Sequence, residues 1–248
     1  MATLAFLGTG LIGAALAEGA KSRGDDVIVW NRSPAKAAAL APRGIAVAPS
    51  VAAAVANAER VHLALTDDGA VDAVLAAAGT ALRGKLVVDH STTSPAGTAR
   101  RAAALAAAGV RFLHAPVFMS PKLCREAGGL MIVAGPRELF DEARGGLAAM
   151  TARLEHVGER ADLAAAYKLF GNALIVTITA GLADVFAMAG NLGIEPRDAH
   201  RLFSWFNAGA TVGYRGGAMA KGDYTASFEL AMARKDVRLM LEAAEGSG

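Results

Sequence analysis

Cysteine is nearly missing from this sequence: Cys124 is the single one in 248 residues, so no disulfide can close within the chain. That scarcity fits a reducing compartment, and the thiol reads as an inert, partly buried side chain. An excess of either charge is missing too, since 25 Lys and Arg against 23 Asp and Glu leave a formal net charge of +2. The basic residues are scattered, with no stripe interleaved with aromatics, which argues against a nucleic-acid partner. No cluster of metal ligands, no nucleophilic triad and no internal repeat is present, so no metal is expected. Between Lys168 and Asp184 the chain is uncharged for about 15 residues, short of the roughly 20 that span a bilayer, and Asn172, Thr177 and Thr179 lie inside the run. A helix buried in protein is expected there, and no membrane partner. The apolar first 20 residues also fail as a secretory leader, because no positive charge precedes them and glycines punctuate them. The expected location is cytoplasmic. What is abundant is core-forming material, 54% hydrophobic residues, enough for one large domain or two of ordinary size.

Thr3 to Leu7 reads as a short buried strand and runs directly into Gly8-Thr9-Gly10-Leu11-Ile12-Gly13, which opens an alanine-rich helix. This is G-x-G-x-x-G in the strand, turn, helix context that gives it meaning. Gly8 allows the tight turn, Gly10 lets the backbone approach a pyrophosphate, and Gly13 lets helix and strand pack closely, with the helix N-terminus facing the phosphates. The next strand, Val27 to Trp30, ends in Asn31, Arg32 and Ser33 rather than in the carboxylate that binds the adenosine ribose of NAD. A guanidinium binds a 2′-phosphate where a carboxylate repels it, so NADP (NADPH) is the expected cofactor, with NAD less favoured. Helix and strand then alternate: a helix over Ala35 to Leu40, an extended piece at Ile45 to Ala48, a helix from Val51, a strand at Val61 to Leu65, a helix around Ala70 to Ala77 and a strand at Lys85 to Asp89. The alternation predicts an α/β fold, a doubly wound parallel sheet of the Rossmann type. Leu65, Thr66, Asp67, Asp68 and His90, Ser91, Thr92 then fall at carboxyl ends of strands, where the cofactor crevice forms. Ser, Thr and Asp at such places also serve as helix caps and turn formers.

Farther on, a helix is expected over Pro95 to Ala108, a strand at Val110 to Leu113, a loop through His114 to Pro121, a strand at Leu130 to Ala134, a helix over Arg137 to Ala149 and a strand near Leu154 to Val157. The domain boundary is placed near Gly158 to Arg160, giving a nucleotide-binding domain at 1–159 and an all-helical domain at 160–248. A long helix from Ala161 to Gly193 contains no Pro and joins the two. On it Lys168 and Asn172 are four residues apart and share a face. A lysine in such an apolar setting either serves as a proton donor or reaches for solvent along its stem. A helix at Arg197 to Phe206, a loop at Gly213 to Gly217, and a helix from Phe228 to Glu245 capped by Ser227, with Glu229 near its positive end, complete the reading.

With these residues in hand, the chain resembles the β-hydroxyacid dehydrogenases, a group that includes 3-hydroxyisobutyrate dehydrogenase and the glyoxylate and succinic-semialdehyde reductases. The resemblance rests on Gly8 to Gly13, Asp89-His90-Ser91-Thr92, Ala115-Pro116-Val117, Lys168-Leu169-Phe170-Gly171-Asn172, and Phe228 with Lys235-Asp236. It implies hydride exchange between a nicotinamide and a short hydroxy acid or its semialdehyde. Lys168 would then be the general acid and base and Asn172 would orient the substrate, Thr92 would touch the cofactor, and Phe228 and Lys235 would close over the nicotinamide end. Phe118, Met119, Ser120 and Asp236 would face the substrate. Imine reductases share the architecture but usually place Asp or Tyr where this chain has Lys168. They remain an alternative, as does a nucleotide-binding protein without turnover.

One departure stands out. Where the family usually reads Pro-Val-Ser-Gly-Gly or Pro-Val-Ser-Gly-Ser, this chain has Phe118-Met119-Ser120 after Pro116-Val117. Phe118 donates no side-chain hydrogen bond and Met119 hinders backbone approach, which predicts a bulkier or less acidic substrate. The chain stops at Gly246-Ser247-Gly248, whereas the relatives continue through further helices. An apolar helix with few partners in its own chain predicts a second subunit as its cover, hence a homodimer.

Overall fold

The computed structural model describes residues 2–245. Contacts divide the chain into two compact units, with the division between Asn172 and Ala173. The first unit alternates strand and helix: β1 (Thr3–Leu7), α1 (Leu11–Ser22), β2 (Asp26–Trp30), α2 (Pro34–Ala38), β3 (Ala46–Val47), α3 (Val51–Val55), β4 (Arg60–Leu63), α4 (Asp68–Ala78) and β5 (Leu86–Asp89). It continues with α5 (Pro95–Ala107), β6 (Arg111–His114), β7 (Val117–Phe118), α6 (Pro121–Arg125), β8 (Leu130–Ala134), α7 (Arg137–Ala148), β9 (Arg153–Gly158) and the first turns of α8 (Asp162–Asn191).

The strands form one sheet in the order β3-β2-β1-β4-β5-β6-β8-β7, with β9 beside β8. From β3 to β6 every pairing is parallel. Parallel strands need crossovers, and those crossovers bury both faces of the sheet. In β1 the alternation is explicit: Leu4 and Phe6 point into one core with Val29, Val88 and α1, while Ala5 and Leu7 point into the other with Val61, Leu63 and Val87. The expected parallel sheet is found, with antiparallel pairings added beyond β6. There β8 runs antiparallel to β6 and β7, and β9 returns parallel to β8. Pro116 carries no N–H, so β6 and β7 are two pieces of one line broken at Ala115-Pro116, and β8 pairs with both, its Ile132 N–H meeting Pro116 O at 3.1 Å. Neither β7 nor α6 is among the elements the sequence predicts.

Helix starts follow capping chemistry. Asp67 accepts from the Ala70 N–H at 2.8 Å at the head of α4, and Ser94 from the Gly97 N–H at 3.1 Å at the head of α5. α8 stops at Gly193, whose φ of 68° allows the Ile194 N–H to reach back to Ala189 O at 2.8 Å.

The second unit holds the rest of α8 with α9 (Pro196–His200), α10 (Leu202–Trp205), α11 (Ala210–Ala220) and α12 (Leu230–Glu245). Three expectations change here. The helix expected over Arg197 to Phe206 is two short ones that begin with Pro196 at the first turn, where its missing N–H costs nothing. The loop expected at Gly213 to Gly217 lies inside α11, because none of its glycines leaves negative φ and the chain turns only at Gly222, φ 72°. Ser227 caps no helix, since α12 begins three residues later and Glu229 O accepts from the Met232 and Ala233 N–H groups.

Candidate active site

The loop after β1 is shaped by two positions that accept no side chain. Gly8 has φ 102°, and a Cβ there would strike the carbonyl oxygen of Ala64; a Cβ on Gly13 would strike the carbonyl of Gly8. Gly10 is the opposite case, with nothing within 4 Å of the place a Cβ would occupy. That open side lies beside the start of α1, where no side chain caps the first N–H groups, so the positive end of a 12-residue helix faces an approachable space. The second loop is tied to the first: Thr9 N–H donates to Asn31 Oδ1 at 3.0 Å, and Asn31 Nδ2 donates to Ser33 O at 3.1 Å. Asn31 is therefore a brace between the loops. A cleft of about 240 Å³ runs over these carboxyl ends, lined by Gly8, Gly10, Asn31, Arg32, Ser33, Leu65 and Thr66 among others. Lys36, one turn into α2, lines it too. The sequence reading missed this second cation; its four-residue spacing from Arg32 at a helix start was the available signal.

The cleft continues into a second space of about 390 Å³, which Gly10, Leu11, Ile12, Gly13, Leu65 and Thr66 share with His90, Ser91, Thr92, Val117, Met119 and Lys168. Ser91 holds its edge by accepting the Leu65 N–H at 2.9 Å. Lys168 reaches it from α8, half-buried, with Nζ donating to Val117 O at 2.8 Å and lying 3.9 Å from the centroid of the Phe118 ring. Burial holds the lysine below its ordinary value of 10.5. Asn172 follows one turn later on α8, also half-buried.

Of the four residues expected at the substrate, three follow β6, and of these Phe118 covers the ammonium, its ring occupying the place a side chain on Gly171 would need. Met119 lines the cleft but sets its Sδ 3.8 Å from Cys124 Sγ. Ser120 Oγ is committed to the head of α6, accepting the Leu123 N–H at 3.3 Å. Cys124 is fully buried rather than partly so, and burial pushes its thiol up, which keeps it protonated. Phe228, Lys235 and Asp236 belong to the second unit, where Lys235 Nζ pairs with Asp236 at 2.7 Å and Arg215 sits 5.8 Å over the Phe228 ring. Among the described residues no three His, Cys, Asp or Glu gather as metal ligands.

A dinucleotide fits this arrangement on its own evidence: a glycine cradle that a Cβ would fill at two positions, an open side at Gly10, and an uncapped helix start. The family model for the NAD binding domain of 6-phosphogluconate dehydrogenase matches residues 3–158. The chain belongs to the β-hydroxyacid dehydrogenase family. It is an NAD(P)-dependent oxidoreductase of that family. Among its relatives, glyoxylate/succinic semialdehyde reductase 2 of Arabidopsis thaliana is 28% identical over 98% of this chain and 69% of that protein. The 2-(hydroxymethyl)glutarate dehydrogenase of Eubacterium barkeri is 26% identical over 97% of this chain and 81% of that protein. Among solved structures, a reductive aminase from Aspergillus terreus in complex with NADPH and ethyl-5-oxohexanoate superposes with a TM-score of 0.91 at 25% identity, covering 99% of this chain and 87% of that one. The family's two-part architecture, a Rossmann-type sheet followed by helices, is the one found here.

Proposed function

We propose that the chain exchanges a hydride between NADP(H) and a short hydroxy compound and its aldehyde or ketone, with Lys168 as general acid and base. Hydroxy acids and semialdehydes are the compounds that the relatives' names put first. The observation that carries this reading is Lys168: a half-buried ammonium, anchored on Val117 O, opening onto the same cleft as the glycine loop. Gly8, Thr9, Gly10, Leu11, Ile12 and Gly13 take the pyrophosphate, Arg32 and Lys36 take the 2′-phosphate with Asn31 and Ser33 shaping the ribose site, and Leu65, Thr66 and Thr92 line the path toward the reacting end. When bound, the cofactor supplies the hydride to the carbonyl carbon. Lys168 stabilises the oxygen as it gains negative charge and passes it a proton; in the oxidative direction the neutral amine accepts that proton. Asn172 orients the substrate. In this reading residues 1–159 bind the cofactor, 160–248 form a helical domain that carries Phe228, Lys235 and Asp236, and the enzyme works in the cytoplasm as a homodimer.

The test is NADPH oxidation with succinic semialdehyde, glyoxylate and uncharged aldehydes of equal length, in the unaltered enzyme and in Lys168→Ala. Turnover that disappears in the variant supports the assignment; turnover that survives in it removes Lys168 from the mechanism. A second reading, reduction of imines, is favoured by one observation. Phe118 and Met119 offer no side-chain donor to a carboxylate and Ser120 is engaged as a cap, while the superposed Aspergillus terreus structure holds an uncharged keto ester. Adding a primary amine to a ketone in the same assay separates the two, since only imine reduction yields a secondary amine.

A further inference from the structure

Three consecutive carbonyls on the strap between β6 and β7 are each held by a donor from a different element. Ala115 O accepts from His90 Nδ1 at 2.7 Å, Pro116 O from the Ile132 N–H at 3.1 Å, and Val117 O from Lys168 Nζ at 2.8 Å. Pro116 has no N–H of its own, so these acceptors do much of the anchoring, and the third of them positions the reacting ammonium.

The first anchor is the end of a longer chain of donors. Arg60, whose guanidinium lies against Gly146, donates through Nε to His62 Nε2 at 2.9 Å. His62 Nδ1 in turn is 2.8 Å from His90 Nε2. Arginine is always a donor, which leaves His62 Nε2 only the acceptor role. The His62 proton is then on Nδ1 and is given to His90 Nε2; the His90 proton is on Nδ1 and is given to Ala115 O. The permanent cation at one end and the acceptor-only Ala115 carbonyl at the other thus fix the same two tautomers in series. Both imidazoles are buried, the His62 ring lies parallel to Phe6 at 4.7 Å and nearly parallel to His90 at 8°, so neither has water as a substitute partner.

We propose that Arg60 and His62 are positioning residues, acting through His90 to hold the Ala115-Pro116-Val117 strap in the place that aims Lys168 into the cleft. This rests on the Lys168 reading given above, and none of the three touches the reacting atoms in that role. The relay runs along β4 from Arg60, its first residue, to His62, then through the loop after β5 to the residue after β6, and so couples three strands to one side chain on α8.

His62→Phe keeps an aromatic ring beside Phe6 and removes both hydrogen bonds; His62→Gln keeps an acceptor for Arg60 and a donor for His90. The expected result in NADPH-dependent turnover is a fall in kcat of about tenfold or more in His62→Phe, because small displacements of a positioned group cost that much. The Kd for NADPH stays within about twofold, and His62→Gln recovers most of kcat. A purely structural role predicts instead that kcat per folded molecule is unchanged in both variants, and that result overturns the proposal. Because His62→Phe can fail to fold, nitrogen-15 NMR of histidine-labelled unaltered protein supplies an independent reading. His62 and His90 should both be neutral near pH 7 with the proton on Nδ1. A proton on His90 Nε2 overturns the relay, whether or not the enzyme turns over any substrate tested, while absent turnover alone bears on the proposed reaction.

Discussion

Lys168 joins a positive charge to a setting that disfavours it. Replacing it with Ala removes the proposed proton donor, and kcat should fall by about 10²–10⁴-fold with little change in NADPH affinity, a split that steady-state kinetics and a binding titration measure. Its titration has a definite sign. In the proposed mechanism carbonyl reduction needs the ammonium, and burial moves the pKa below 10.5; the reductive rate should fall as pH rises through a value below 10.5, and the oxidative rate should rise through the same value. A reductive limb that stays at or above 10.5 would show a lysine free in water. Arg32 is exposed, so the charge-assisted bonds proposed for it to a 2′-phosphate take the low end of their range. Arg32→Ala should weaken NADPH by about tenfold and leave NADH nearly unchanged. Gly8 to Gly13, Arg32 and Lys168 were legible as residue types in pattern. The Phe118 ring over Lys168, the capping role of Ser120 and the His62–His90 pair were not, because each is a contact whose partner the chain pattern does not name.

At the scale of elements, three adjacent strands and their loops bring buried histidines into the sheet: His62 on β4, His90 after β5 and His114 on β6. Burial lowers all three, His90 to about 4 and His114 to about 3. Below the ordinary value of 6.5 the unfolded chain takes up protons that the folded one refuses, so stability is full above pH 6.5 and falls as pH drops toward 4. Asp89 works the other way: burial raises it to about 6 from 3.8, so it favours the fold as pH falls through that window. With three groups against one, urea unfolding between pH 6 and 4 should show stability declining by about 2–3 kcal/mol per pH unit. A flat profile would mean the histidines are hydrated or charged in the folded state. α11 offers a separate check. Gly216 and Gly217 sit at helical φ with open space around the position of a Cβ, so Gly216→Ala and Gly217→Ala should each add about 0.5–1 kcal/mol to the helical unit by limiting the unfolded chain. The same glycines explain why that helix read as a loop: local propensity pointed one way and the structure took the other.

At the scale of the molecule, α8 is long and apolar enough to cross a membrane by length and composition, an 18-residue stretch of it having a mean hydropathy of 1.8. Its first turns nonetheless carry Lys168 to Val117 O, so that end lies against protein. Farther along, Ile175, Val176 and Ile178 are exposed, Val176 at 67%, as are Trp205 and Leu230 on later helices. A protein surface of this kind calls for an apolar cover, and a second copy of the chain is the proposed one. Sedimentation at micromolar concentration should give a dimer, and a monomer would remove that cover. The alternating core of β1, the glycine turn and the helix crossovers were determined by the sequence alone, because periodicity and steric demand act over a few residues. The reversal of β8, the strap at Pro116, the cover on Lys168 and the tautomers of two histidines were decided only by the tertiary structure, because each depends on which distant strands become neighbours and on the exclusion of water between them.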